Sequence, residues 1–310
     1  MTKLVESVRT VWDGPYQGAV APGRHIPFGS SSVQHGAAVF EGVRCYAAAA
    51  GPALFRLDDH LLRLLESARL LGLGHDYDLD RLRTSVLDAA ASCGLADCYV
   101  RPGLFAPDPY LSIDLTLLRI TLGVEIWPMG GARAHPGIRL TISPWRRPSP
   151  RSFPPRAKAV GMYATSALAK TAAVTAGYDD AVQLDPESGR VAEATTSNIF
   201  LVRDGRLITP WLTDSLLAGI TRDTVLALAG ELGIPAGEEP VEAAELAAAD
   251  EVFLTGTAGE LVPAASLDGR GYPGERPVFD ALSAAFRDAV TGHRPSPRGW
   301  LTPVPAVSLT

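Results

Sequence analysis

The sequence predicts a two-domain α/β (α+β) protein, and three observations predict it. Its 310 residues leave room for two ordinary domains, each able to bury its own core. Residues 127–137, WPMGGARAHPG, are rich in Gly and Pro and lack hydrophobic periodicity, which marks a linker. On both sides of it, strand-like apolar runs are interspersed with segments of helical period. The expected layout is a small N-terminal domain at 1–127, an interdomain loop at 128–136 and a larger C-terminal domain at 137–310.

The elements follow in order. VRTVW (8–12) ahead of Asp13-Gly14 reads as a strand entering a turn, and VFEGVRCY (39–46) and PALFR (52–56) read as a strand pair. Asp58 or Asp59 can cap a helix over 58–71, with Leu61, Leu64, Leu65 and Ala68 on one face. A second helix covers 79–93 and stops before Gly94. Residues 98–105 and 117–127 read as buried strands. Beyond the linker, IRLTISPW is a strand and SPWRRPSPRSFPPR a basic, proline-rich loop. A small-residue helix over 163–176 ends at Gly177. DDAVQLD, SNIFLV and RLITP are strands around turns at Glu187-Ser188-Gly189 and Asp204-Gly205. Helices are expected at 219–232, 241–249 and 277–291, with the strand EVFLTG between the last two, and a loosely packed proline-rich tail after His293.

Composition narrows function. Apolar residues make up 46% and charged residues 20%, and the net charge of −6 argues against bulk attraction to nucleic acid or an anionic membrane. A bound anion must meet local positive charge, and Arg146, Arg147, Arg151, Arg156 and Lys158 supply it with no acid between them. Cys45, Cys93 and Cys98 are odd in number and form no CxxC pair, which fits a reduced, cytoplasmic chain. The N-terminus lacks the apolar core of a signal peptide, and charges or Gly/Pro interrupt every apolar stretch before membrane-spanning length. The chain has no GxxxxGK[ST] loop, no GxGxxG between strand and helix and no GxSxG elbow. Its six histidines never fall at i, i+4 beside an acid, so no metal site is expected. Lys3, Lys158 and Lys170 are the only lysines, which leaves amine chemistry few places to reside.

PRAKAVGMY (155–163), GYDDAVQLD (177–185), VAEATTSNIF (191–200), LLAGITRDTVLALAGELGI (216–234) and ADEVFLTGTAGELVP (249–263) carry a resemblance, as do VQHGAAVFEGVRCY (33–46), LFRLDDHLLRLLESA (54–68) and YVRP (99–102). Together these blocks resemble fold-type-IV pyridoxal-phosphate enzymes, closest to branched-chain aminotransferases, in the family's order and spacing over most of the chain. The resemblance implies a D-amino acid aminotransferase-like fold with a small N-terminal α/β domain and a larger C-terminal α/β pseudo-barrel domain. It also implies pyridoxal 5'-phosphate as cofactor, amino acid and 2-oxo acid substrates, and a homodimer or larger homo-oligomer.

By the same resemblance, Lys158 is the Schiff-base lysine. A buried ε-amine among cationic groups loses proton affinity, which makes it a nucleophile and then a base. Glu193 matches the glutamate facing the pyridine nitrogen, and Tyr163 the tyrosine near the phenolic oxygen. Arg56, Gly219, Ile220, Thr221, Gly256 and Thr257 match the phosphate cup. An arginine fork, an opening helix and a turn of amides are each suited to a dianion. Phe40, Tyr99, Arg101, Trp127, Thr257 and Ala258 match the substrate pocket, with Arg101 in the place of the arginine that meets the distal carboxylate of glutamate.

Two positions depart from the family. His35 stands where branched-chain enzymes usually carry a pocket tyrosine, and FAPDPYLSIDLTLL (105–118) lacks their glycine-rich loop. Both bear on side-chain selection. The expected activity is amino transfer between an aliphatic, branched-chain-like L-amino acid and 2-oxoglutarate. A D-amino-acid or (R)-amine transaminase, or a lyase resembling aminodeoxychorismate lyase, are the alternatives on the same fold. Intact Lys158, Glu193 and Arg56 argue against a silent relative that only binds.

Overall fold

The structure is a computed structural model that describes residues 9–12, 26–130, 137–212, 215–293 and 299–306. Residues 131–136 of the expected interdomain loop lie outside the described residues. Contacts divide the chain into two compact units. The first takes the described residues through 130, then Ala157–Gly161 and the described residues from 289 onward; the second takes 137–156 and Met162–Asp288.

In the first unit, β1 (Arg9–Trp12), β2 (Ala38–Phe40), β3 (Val43–Ala48), β4 (Gly51–Phe55), β5 (Cys98–Phe105), β6 (Thr121–Pro128) and a final short strand, Leu301–Pro303, form one antiparallel sheet. Its order is β1-β6-β5-β3-β4-final strand, with β2 also paired to β5. The helices are α1 (Ser31–His35), α2 (Leu57–Leu71) and α3 (Leu79–Cys93), of which α2 and α3 pack on β5 and its neighbours. Strand alternation decides which residues can meet a ligand. Cys98, Val100, Pro102 and Leu104 of β5 are buried, whereas Tyr99, Arg101 and Gly103 on the opposite face are only half-buried.

Several sequence expectations shift here. The single strand expected at 39–46 breaks at Glu41-Gly42, because the Glu41 side chain turns into a buried ion pair and Gly42 lies under the Tyr99 ring. A Cβ at Gly42 would collide with the Tyr99 hydroxyl, so only glycine fits. Neither Asp58 nor Asp59 caps α2. Its N-cap is Arg56, in the left-handed region at φ 52, and Asp59 in the first turn pairs with the Arg56 guanidinium instead. The buried stripe of α2 is Leu57, His60, Leu61, Leu64, Ser67 and Ala68, and it carries two polar residues. The expected 117–127 strand begins at Thr121, after a 3-10 turn at Leu115–Leu117. The tail is not loose over 299–306: it adds a strand to the sheet edge and buries Trp300.

In the second unit, β7 (Ile138–Ile142), α4 (Tyr163–Thr175), β8 (Asp180–Leu184), β9 (Val191–Ala194), β10 (Asn198–Arg203), β11 (Arg206–Pro210), α5 (Ile220–Glu231), β12 (Ala236–Glu239), α6 (Ala243–Ala247), β13 (Glu251–Gly256), β14 (Glu260–Leu267), β15 (Arg270–Gly271) and α7 (Pro277–Thr291) follow in order; α7 carries the chain back to the first unit at 289. The sheet runs β12-β11-β10-β13-β14-β7-β8-β9, with β15 on β14. The β11·β12, β14·β7 and β7·β8 pairs are parallel and the rest antiparallel. β10 and β13 are buried on both faces. Ile199, Leu201, Val252 and Leu254 join Leu140, Val182 and Val191 in one core, while Phe200 stacks on Phe253 at 5.2 Å, and Phe253 meets Phe279 of α7 edge-on. The buried Glu251 carboxylate accepts hydrogen bonds from the Val278 and Phe279 N–H groups and so caps the start of α7.

Candidate active site

Lys158 belongs to the first unit, on a short segment beside β2. Val39 bridges Ala159, the Phe40 N–H donates to the Lys158 carbonyl at 3.1 Å, and the Lys158 N–H donates to Ser67 Oγ at 3.0 Å. Both backbone groups of the lysine are thereby fixed while its side chain stays half-buried. Lys158 Nζ lies 5.1 Å from the Phe40 ring centroid, and the Arg101 guanidinium lies 3.9 Å from that same ring. Tyr99 pairs with Trp127 across β5 and β6 on the half-buried face. His35 is exposed in the last turn of α1; the following Gly36 packs against Gly161, where a Cβ would approach the Gly161 Cα to 3.2 Å.

Behind Phe40 lies a buried charge network. Glu41 is fully buried and receives Arg63 Nε at 2.6 Å, Arg63 Nη2 at 2.9 Å and His60 Nδ1 at 2.7 Å. Burial alone would raise the Glu41 carboxyl, but the Arg63 charge and the His60 contact hold it well below its usual range. Burial lowers the His60 pKa against the opposing pull of Glu41, and the nearby Lys158 charge adds to the lowering.

Arg56 stands elsewhere on the first unit, at the β4–α2 junction. Its Nε donates to Asp59 Oδ2 at 2.7 Å and its guanidinium lies 5.6 Å from the Trp300 ring centroid.

The second unit assembles the remaining residues. Glu193, on β9, is 5% exposed. Its Oε1 pairs with Arg147 Nη2 at 3.0 Å, and its Oε2 accepts from Asn198 Nδ2 and the Leu217 N–H, each at 3.2 Å. Asn198 lies so close over Gly219 that a Cβ there would collide with its amide oxygen, which joins Glu193 to the start of α5. Gly219 is the N-cap of α5 and provides no side-chain cap; Ile220 and Thr221 in the first turn are buried. Asn198 also pairs with Thr255, and a Cβ at Gly256 would meet Ser197 Oγ at 3.1 Å. The β13–β14 turn, with Thr257 half-buried and Ala258 exposed, therefore starts beside the same cluster. Tyr163 opens α4 next to Met162, whose sulfur accepts from Arg147 at 2.9 Å.

Each unit by itself carries groups suited to an organic phosphate cofactor: a half-buried lysine in the first, and a buried carboxylate with its counter-charge and an anion-suited helix start in the second. The profile of the family described as amino-transferase class IV matches residues 38–267. The chain belongs to the class IV aminotransferases. Among curated proteins, the branched-chain-amino-acid aminotransferase of Salmonella typhimurium is 35% identical over 285 residues, covering 89% of this chain and 91% of that protein. The crystal structure of the branched-chain aminotransferase of Thermoproteus uzoniensis with norvaline matches at a TM-score of 0.90 and 36% identity, over 96% of this chain and 99% of that one. The branched-chain aminotransferase of Thermobaculum terrenum in its PLP form matches at 0.85 and 34%, over 96% and 98%.

The fold is thus fold type IV and the class IV aminotransferase is a pyridoxal-phosphate-dependent transaminase, as the sequence blocks implied. The donor set fits that cofactor. Among the described residues, no helix is long and apolar enough to cross a membrane. Sequence reasoning missed several residues that hold the candidate ones in place. Arg147 entered only as one of a cluster of positive charges, yet it is 5% exposed and anchored through Nε to the Ser215 carbonyl at 2.9 Å. Asn198, Glu41, His60, Arg63 and Ser67 were not singled out. The one available signal was a His and a Ser interrupting the apolar stripe of α2.

Proposed function

We propose that this transaminase moves the amino group between aliphatic, branched-chain-like L-amino acids and 2-oxoglutarate by a ping-pong cycle. One observation carries the reading: the Phe40 ring lies 5.1 Å from Lys158 Nζ and 3.9 Å from the Arg101 guanidinium. An apolar ring beside the amine suits an aliphatic side chain, and a guanidinium on that ring suits the distal carboxylate of a dicarboxylic partner. One pocket can then serve both substrates in turn. When bound, the cofactor supplies an electron sink for the charge left at Cα. Lys158 would hold it covalently, and once a substrate amine takes its place the freed Nζ would accept the Cα proton and return it. Glu193, backed by Arg147, holds a negative charge for the ring nitrogen, and Tyr163 acts near the phenolic oxygen. Arg56, with Gly219, Ile220, Thr221, Gly256 and Thr257, receives the phosphate. Tyr99, Trp127, Thr257, Ala258 and His35 complete the substrate side.

The two units correspond, in this reading, to the small and large domains. A homodimer is supported by exposed apolar side chains on the first unit, among them Phe28 (82% exposed), Leu111 (97%) and Ile113 (78%), joined where Ser30 bridges Pro109. The three buried cysteines, each a thiol outside any disulfide, fit a cytoplasmic location.

The test is a half-reaction. Purified protein is mixed with L-leucine, L-valine, L-isoleucine, L-glutamate, D-alanine or an (R)-amine, and the cofactor spectrum is followed. Conversion by the branched-chain L-amino acids and L-glutamate, with amino transfer onto 2-oxoglutarate, is expected. Conversion by the D-amino acid or the amine alone, or release of pyruvate without an acceptor, overturns the reading.

A further inference from the structure

We propose that Trp300, at the head of the chain's final strand, is a positioning residue for Arg56, so that this strand tunes affinity for the phosphate end of the cofactor. The inference rests on the reading of Arg56 as a phosphate ligand.

Arg56 occupies a backbone conformation that L side chains seldom adopt, at φ 52 between β4 and α2. A non-glycine residue persists there only where its surroundings over-determine it. Three contacts do so, and one reaches far along the chain. The Arg56 carbonyl accepts the His60 N–H at 3.2 Å, its Nε donates to Asp59 at 2.7 Å, and its backbone N–H donates to the Trp300 carbonyl at 2.6 Å.

The Trp300 ring also faces the Arg56 guanidinium at 5.6 Å, within cation–π range. Trp300 is only 6% exposed and meets Phe55 edge-on at 5.8 Å. The strand behind it is registered on β4, with Leu301 opposite Phe55, Thr302 opposite Leu54 and Pro303 opposite Ala53; the Val304 N–H reaches the Pro52 carbonyl at 2.9 Å. Trp300 is therefore held by the same strand that ends on Arg56. Ring and guanidinium are aligned by one piece of sheet. A long side chain with several rotatable bonds loses much freedom when it binds an anion, and a ring that restricts it beforehand reduces that cost.

The experiment compares pyridoxal 5'-phosphate with pyridoxal, which lacks the phosphate. Dissociation constants of both are measured by spectral titration of the full chain stripped of cofactor, for the parent, Arg56→Ala, Trp300→Leu and Trp300→Phe. Leucine keeps apolar bulk against Phe55 but has no ring face. Expected is a roughly tenfold weakening for pyridoxal 5'-phosphate in Trp300→Leu, the factor equivalent to about 1.4 kcal/mol, with pyridoxal unchanged and with recovery to within about threefold of the parent in Trp300→Phe. Equal weakening for both ligands, or none for either, overturns the proposal and leaves Trp300 a packing residue. If Arg56→Ala itself shows no phosphate-dependent loss, the assignment of Arg56 to the phosphate fails and the proposal falls with it. Arg56→Ala losing the phosphate preference while Trp300→Leu keeps it sinks the proposal alone.

Discussion

The two units hold their reactive groups in opposite ways. Lys158 in the first unit is held by its backbone, through Ser67 and Phe40, and its side chain extends half-buried from that anchor. Glu193 in the second unit is held by its carboxylate, with Arg147, Asn198 and the Leu217 N–H all on the two oxygens. The contrast follows from what each group must do. In the proposed function, a lysine that forms and breaks bonds needs a fixed base from which its side chain can move. A carboxylate that only presents charge can be bound at its reactive atoms, and in a buried setting it has to be, because an unpaired buried charge is expensive. Substitutions around Glu193 should therefore cost more than substitutions around Lys158.

The largest effect is expected at Arg147. Its removal leaves the Glu193 carboxylate, on a residue 5% exposed, without its guanidinium, and breaking a buried pair from one side costs about 3–5 kcal/mol. Arg147→Met should show that loss in denaturant unfolding and a fall in kcat much larger than any change in KM, because the charge presented to the cofactor is no longer fixed. Arg147→Lys should recover part of both, since it restores charge without the fork that also reaches Ser215 and Met162. An Arg147→Met protein as stable as the parent would remove one side of the comparison.

What was legible in the sequence divides along the same line. Three lysines only narrowed the choice; Lys158, like Glu193, was singled out because its flanking block stays in register with the family. Their supports pair residues far apart in the chain, such as Glu41 with His60 or Arg147 with Glu193, and local patterning carries no term for such pairs. The break in the 39–46 strand had a local sign, a Glu-Gly step inside an apolar run, but its cause lies in Arg63 and Tyr99 on other elements. A proline-rich tail predicts loose packing, yet part of it forms the final strand. Edge strands tolerate proline, and Pro303 sits on one.

A middle-sized effect is expected at Glu41, where charge is buried but lies behind the lysine rather than in contact with the chemistry. Glu41→Gln leaves Arg63, whose side chain is 13% exposed, and the buried His60 without their shared anion, at about 2–3 kcal/mol. The pH profile sharpens the test. His60, lowered from 6.5 chiefly by burial, and Glu41, kept below 4.5 by Arg63 and His60 in spite of burial, both bind fewer protons folded than unfolded. Their contributions are fully present above about pH 6.5. Stability declines as pH falls through 6.5 on account of His60, and further below 4.5 on account of Glu41. Thermal melts across pH 3–8 should show that decline in the parent; in Glu41→Gln the carboxylate's share below pH 4.5 is lost, while His60, no longer raised by Glu41, keeps its own decline from 6.5 and carries it to lower pH. Identical limbs would mean the Glu41 carboxylate is not linked to folding.

The smallest effect is expected at Ser67, and it tests the contrast most directly. Its hydroxyl accepts the Lys158 N–H at 3.0 Å and donates to the Arg63 carbonyl at 2.7 Å. Ser67→Ala removes one neutral hydrogen bond at each end, a loss of about 1 kcal/mol in stability. The lysine backbone then gains freedom while every substrate-facing side chain keeps its place. A fall in kcat of a few fold at constant KM is expected, since misplacing a base by a fraction of an ångström slows proton transfer without weakening binding. A rise in KM with kcat intact would assign Ser67 to the pocket rather than to the anchor. A loss as deep as that of Arg147→Met would mean that backbone anchoring and carboxylate pairing count equally, and the asymmetry between the two units would not hold.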